Sequence, residues 1–249
     1  MTETHHIPGD LLAASSGYAE LCVTTNFTFL TGASHPEELM VRAAELGLDA
    51  IAVTDRNSLA GVVRAYSALK ELKREADEAV RIRSQHRIDP CSRQAVGAPQ
   101  DIARPAAPRL PRLIVGCRLV LTDCAVDWVA LPTDRPAYHR LCRLLTRGKR
   151  RAVKGECRLE LQDILKGCRG MILIALPPAD PAKAVRPIQA VRRCYPGHVF
   201  LGAAPRYDGS DQAWFDACAR LALRVAAPMV AVGDVLMHRG ARRQLADVL

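Results

Sequence analysis

Aromatic residues are scarce: Phe, Tyr and Trp together make up 4% of the 249 residues. So few rings argue against base stacking as a main source of nucleic-acid affinity. They also require a core built from Ala, Leu, Val and Ile. Long apolar runs are missing too. The stretches near Met171 and Val225 fall well short of the ~18 residues of a membrane helix. The N-terminus has no charged n-region, and Leu11–Ala14 is too short for a signal segment. A cytoplasmic protein with no membrane partner is therefore expected. Nine cysteines are present, but none forms a C-x-x-C pair, which argues against a zinc knuckle or redox motif. Their reading is as small apolar residues in a reducing compartment. There is no P-loop, no G-x-G-x-x-G, no G-x-S-x-G, no H-x-H and no H-E-x-x-H.

What is present is ample for folding. Hydrophobic residues make up 49% of the chain, and its length suits one large domain or two small ones of roughly 100–200 residues. Apolar runs of strand type occur at Ala19–Thr24, Ala50–Thr54, Leu113–Leu121, Asp127–Leu131, Gly170–Ala175, Val199–Gly202 and Met229–Val232. Amphipathic helical patterns separate them at His35–Leu46, Asn57–Leu72, Arg135–Thr146, Pro181–Cys194 and Asp211–Val225. Ser34 is the expected N-cap of the first helix, with Pro36 in its first turn. Gly32 is expected in a turn and Gly47 at a helix C-cap. This alternation predicts an α/β fold with a parallel sheet, either a closed barrel or an open doubly wound sheet.

Glu75–Pro111 breaks the rhythm. It carries five prolines, six Arg against five acids and little periodicity, and reads as a surface insertion or disordered excursion. Residues 1–17 read as a flexible N-terminal segment. The net charge of +9 concentrates elsewhere: Pro136–Arg158 holds eight basic residues against the single acid Glu156. Arg140, Arg143 and Arg147 are spaced to share a helix face, leading into an expected loop with Lys149, Arg150, Arg151 and Lys154. Such a cluster is either a solvated basic face or a contact for phosphate backbone, and weak, non-specific DNA binding is the sharper expectation.

Candidates for chemistry are few. Asp55 follows a strand and is either a ligand or an N-cap for the helix starting near Asn57. Asp234 and His238 lack partners of metal-binding type.

Several segments together carry a family resemblance: Tyr18–Gly32 (YAELCVTTNFTFLTG), the following ASHPEEL, Ala50–Gly61 (AIAVTDRNSLAG), Ile114–Leu119 (IVGCRL), Pro132–Cys157, GDVLMH at Gly233–His238, and the closing RRQLADVL. In this order they resemble the polymerase and histidinol phosphatase (PHP) domain that opens the bacterial error-prone, C-family DNA polymerases. The resemblance covers most of residues 18–249 and implies a distorted seven-stranded β/α barrel with a Pro-rich insertion. It implies a chain cut before the polymerase domains, since the sequence stops inside an expected helix, Arg239–Leu249. It also implies a parent activity of DNA polymerase in damage-induced synthesis, with Mg needed only by those absent domains. A sliding clamp, mutagenesis accessory proteins and the polymerase body are its implied partners.

Carried over position by position, the family's metal site is degenerate here. The first-strand H-x-H falls on Cys22-Val23-Thr24. The Asp-His pair reads Asp55-Arg56, the expected Glu is Arg118, and the final Asp-x-His falls on Asp234 and Leu236. Two carboxylates cannot hold a multi-metal cluster, and Arg56 and Arg118 are expected to pair with Asp55 and Asp234 instead. No catalytic residue and no cofactor are expected in this portion. The alternative is a free-standing PHP phosphoesterase.

Overall fold

The computed structural model describes residues 17–86 and 110–248. Most of the N-terminal segment, Cys91 and the Pro-rich residues 87–109 lie outside that set. Eight strands form two sheets: β1 (Ala19–Val23), β2 (Ala50–Val53) and β3 (Arg112–Val115) in one, and β4 (Cys117–Leu119), β5 (Asp127–Pro132), β6 (Met171–Leu176), β7 (Val199–Ala203) and β8 (Met229–Ala231) in the other. The β1–β2–β3 and β6–β7–β8 ladders are parallel, while β5 runs antiparallel to both its neighbours. The sheets join at two places. β3 leads into β4 through Gly116, and a parallel bridge pairs Val23 with Val235 just beyond β8. The ring so formed is a distorted β/α barrel.

One expected strand is two. The run Leu113–Leu121 breaks at Gly116, where a Cβ would lie 2.6 Å from Leu131 and 2.8 Å from Thr54. Glycine alone tolerates that approach, and the break lets β3 pair with β2 while β4 turns to β5.

Period-two alternation explains why the strand runs are almost wholly apolar. In β5, Trp128 and Ala130 face the outer cluster under the helices, while Val129 and Leu131 face the barrel interior. In β6, Met171, Leu173 and Ala175 point outward and Ile174 and Leu176 inward. Both faces are buried, as expected of strands wrapped by helices. The interior is filled by small and medium side chains, including Cys22, Ala52 and Val232.

The helices are α1 (Pro36–Glu45), α2 (Ala60–His86), α3 (Arg135–Arg150), α4 (Leu161–Gly167), α5 (Val185–Cys194), α6 (Asp211–Val225) and a closing turn, α7 (Arg243–Ala246). Four details depart from expectation. His35 rather than Ser34 is the N-cap of α1, and its backbone N–H donates to Glu38. Instead, Ser34 is hydrogen-bonded to His238. The helix α2 continues through His86 into the segment read as an excursion, supported by the i,i+3 pairs Arg74–Glu71 and Arg81–Glu78. α3 runs one turn longer than its pattern, so Gly148, Lys149 and Arg150 are helical rather than looped. Finally, the end of the chain is a short 3₁₀ turn (Gly240–Arg242) followed by α7, not one long helix. Gly47 sits just past α1 at φ +65°, as its C-terminal role requires. The eight described cysteines are all free, and Cys22, Cys117, Cys168 and Cys218 are buried.

Candidate functional site

The positions singled out by the family resemblance lie at the carboxyl ends of β1 and β2 and on or beside β4 and β8. Arg118, on β4, is the centre. Its Nε donates to Asp127 Oδ2 and its Nη1 to Asp234 Oδ1, both at 2.8 Å. Burial alone would lower the Arg118 pKa, but the negative charges of Asp234 and Asp127, with the hydrogen bond to Asp127, outweigh it and push it up. The guanidinium is therefore a fixed cation held between two carboxylates. Cys22, fully buried, donates its thiol to Asp234 Oδ1 at 3.5 Å. Burial, with Asp234 beside it, raises its pKa well above the usual thiol range, so it stays protonated.

Asp55 is 1% exposed and makes no ion pair among the described residues. It accepts from the Thr25 N–H, Thr25 Oγ1 and Thr28 Oγ1 at 2.9 Å, and from the Gly61 N–H at 3.2 Å. A Cβ at Gly61 would stand 2.5 Å from Asp55 Oδ2, so this approach requires glycine. The expected pairing of Arg56 with a carboxylate does not form. Arg56 is exposed and makes no ion pair among the described residues; only its backbone N–H is used, donating to Thr28 Oγ1. Asp55 needs no cation because two threonine hydroxyls and two backbone amides already satisfy it. Among the described residues Thr24 Oγ1 is buried without a hydrogen-bond partner, and Leu236 contributes its carbonyl to the Ala33 N–H.

These donors do not suit a divalent cluster. Among the described residues no group of three or more His, Cys, Asp or Glu side chains is placed to hold a metal. Asp127 and Asp234 share a guanidinium, Cys22 is a neutral thiol, and His238 is engaged with Ser34 and lies 3.7 Å from Glu38. Beside Arg118 opens a cavity of about 630 Å³, lined also by Asp127, Asp234, Arg206, Asp208 and Trp214. The Arg206 guanidinium stacks 4.0 Å from the Trp214 ring centroid.

The basic stretch is split by its surroundings. Arg147 and Arg151 both reach the buried carboxylate of Asp163, at 3.5 and 2.7 Å. Arg140 donates to the Arg169 carbonyl at 2.7 Å. Arg143, Lys149, Arg150 and Lys154 are exposed and make no ion pair among the described residues. Sequence reasoning missed Asp163, Asp127, Thr25 and Thr28. An acid opening an otherwise apolar strand, as Asp127 does, was the available signal.

A family model described as the PHP domain matches residues 20–198. The chain belongs to the PHP family. The chain is 77% identical over 232 residues to an error-prone DNA polymerase of Ruegeria pomeroyi, covering 93% of this chain and 21% of that protein. It is 39% identical to the error-prone DNA polymerase of Rhodopseudomonas palustris strain BisB5, covering 18% of it. The PHP chain thus spans about a fifth of the length of the curated relatives it matches. Among solved structures, it resembles a protein of Bifidobacterium adolescentis assigned as a metal-dependent phosphoesterase (TM-score 0.55, 12% identity, 91% of this chain and 90% of that one). An amidohydrolase of Chromobacterium violaceum is equally similar (TM-score 0.55, 14% identity, 91% and 89%). Both likenesses are of fold. Among the described residues no helix is long and apolar enough to cross a membrane.

Proposed function

We propose that this PHP domain is the N-terminal portion of an error-prone DNA polymerase serving damage-induced, translesion synthesis, and that it acts there as a non-catalytic, cytoplasmic scaffold. The polymerase reading rests on the similarity to relatives of that name. One observation carries the non-catalytic reading: Arg118 occupies the family's Glu position and binds Asp127 and Asp234 at once. A resident cation there would meet a fixed positive charge, a repulsion of about 4 kcal/mol for each unit of its charge at ~4 Å and an effective dielectric of 20. The ion pairs replace metal coordination as the means of holding the strand ends. Magnesium belongs to polymerase domains downstream, and the partners are the polymerase body, a sliding clamp and mutagenesis accessory factors.

Elemental analysis of purified protein tests this reading. Substoichiometric Zn, Mn and Fe with no chelator-sensitive phosphoesterase activity is the expected result. Stoichiometric metal, with activity lost on chelation, would instead establish the free-standing phosphoesterase.

A second role is favoured by the exposed, unpaired Arg143, Lys149, Arg150 and Lys154: weak, sequence-independent contact with the DNA backbone. Arg140, Arg147 and Arg151, engaged with Arg169 and Asp163, support that surface from its edge.

A further inference from the structure

The loop between β1 and α1 is built rigidly and yet presents bare apolar side chains. At its neck the Asn26 N–H donates to the Ser34 carbonyl at 2.9 Å, and inside it the Gly32 N–H donates to Thr28 at 3.1 Å. Its underside is held by Asp55 through Thr25 and Thr28. Gly32 lies so close to Thr25 that a Cβ would fall 2.1 Å from its carbonyl oxygen. At the tip, Phe29 is 84% and Leu30 75% exposed. Leu30 also has φ +57°, a left-handed conformation that costs a branched side chain on the order of 1 kcal/mol or more. Among the described residues no burial of either side chain offsets that cost. The stretch Asn26–Ala33 carries no charged residue, so the surface suits an apolar protein partner rather than phosphate backbone.

We propose that Phe29 and Leu30 form the docking point for the polymerase body that follows the PHP domain in the full-length protein, with Asp55, the family's ligand position, acting as the staple that holds the loop in place. The proposal rests on the polymerase reading above. Two observations select this occupant. The relatives are about five times longer than the matched region. The segment after β8 also passes beside the neck of the loop: the Ala33 N–H donates to the Leu236 carbonyl at 2.8 Å, and the His238 N–H to Ser34 Oγ at 3.0 Å. Arg242 and Arg239 then pair with Glu38 and Glu45 on and at the end of α1. Beyond them Leu245 and Val248 are exposed, at 43% and 84%. In a protein as long as those relatives, the sequence after these residues would leave the domain on the side of α1 and the neck of this loop.

The test uses the full-length polymerase carrying this domain, with the double variant F29S/L30G. Glycine at position 30 relieves the left-handed strain, so the domain's own unfolding midpoint should not fall. V153S, which removes another exposed apolar side chain (69% exposed) on the segment following α3, is the control. Limited proteolysis at the junction beyond residue 249 should be about tenfold faster in F29S/L30G, the effect of losing an apolar hot spot. Primer extension should fall with it, and V153S should match wild type in both. Equal proteolysis of F29S/L30G and wild type, in a protein that extends primers normally, overturns the docking proposal and leaves the polymerase reading intact. Loss of DNA affinity alone, or conversion of a dimer to a monomer, also overturns it by naming another occupant. A wild-type full-length protein without primer extension overturns the underlying reading itself.

Discussion

Arg118 shows how one side chain can tie two strand ends together. Its guanidinium draws Asp127 and Asp234 together, both partly shielded from water. Arg118→Ala leaves the two carboxylates facing each other without a cation, and should destabilise the domain by about 3 kcal/mol, as for removing one partner of a buried ionic network. Urea denaturation followed by circular dichroism measures it. Asp55 is a different case, since its ionic form is satisfied by hydroxyl and amide donors alone. Asp55→Asn keeps the size but turns one acceptor into a donor facing donors. A loss of about 2 kcal/mol is expected from the unmade charge-assisted bonds, read by the same unfolding curves. The sequence marked Asp55 and Asp234 as survivors of a ligand set. It could not pair them, because their partners lie at separations that only the folded strands bring together.

At the scale of elements, local chemistry explains most boundaries. α3 begins where Asp134 accepts from the Ala137 N–H at 2.6 Å, with Pro136 in the first turn. α6 ends at Ala226 in a left-handed conformation, φ +51°, with its side chain exposed. Ala226→Gly should therefore stabilise the domain by about 0.5–1 kcal/mol, raising its melting temperature in calorimetry. α1 carries Glu38 in its first turn. Against the burial that pushes its pKa up, the His35 N–H, His238 and Arg242 hold it below the usual carboxylate value. Its stabilising contribution is therefore present above the unfolded-state value near pH ~4.3 and disappears as pH falls through the lower folded value. Glu38→Gln should cost on the order of 1 kcal/mol at neutral pH, reduced by its partial exposure. Denaturation midpoints of variant and wild type should converge in acid. Elements that were not legible share a cause. The second half of α2 is polar nearly all round, and α4 spans only seven residues, so neither offers an apolar stripe to read.

For the whole molecule, the ring of strands is closed by pairings distant in sequence, and the charge is distributed by tertiary contacts. Substituting Arg143, Lys149, Arg150 and Lys154 with Ser should flatten the dependence of log K for DNA on log salt by about 0.9 for each phosphate that is no longer neutralised. Fluorescence anisotropy over a salt series would reveal this, and an unchanged slope would mean that the face is merely solvated. Arg147 and Arg151 should behave otherwise, because Asp163, with little exposure, forms ion pairs with both. Replacing them should lower the unfolding midpoint more than the salt slope.

Scarce aromatics, nearly continuous apolar strand runs and a concentrated basic stretch determined by themselves that this is an α/β domain with an aliphatic core and one strongly cationic region. Motif order alone was enough to point to a PHP barrel, because residue identity is a local property. Tertiary structure decided the rest. It broke one strand into two at Gly116, where Leu131 and Thr54 leave no room for a Cβ. It gave Arg118 a second partner in Asp127, and it left Asp55 to the threonines of a loop 27 to 30 residues away. It also divided the cationic stretch into arginines committed to Asp163 and side chains open to solvent. Those outcomes depend on which groups meet across the barrel, and the energy of an ion pair or a buried carboxylate is set by its neighbours in space.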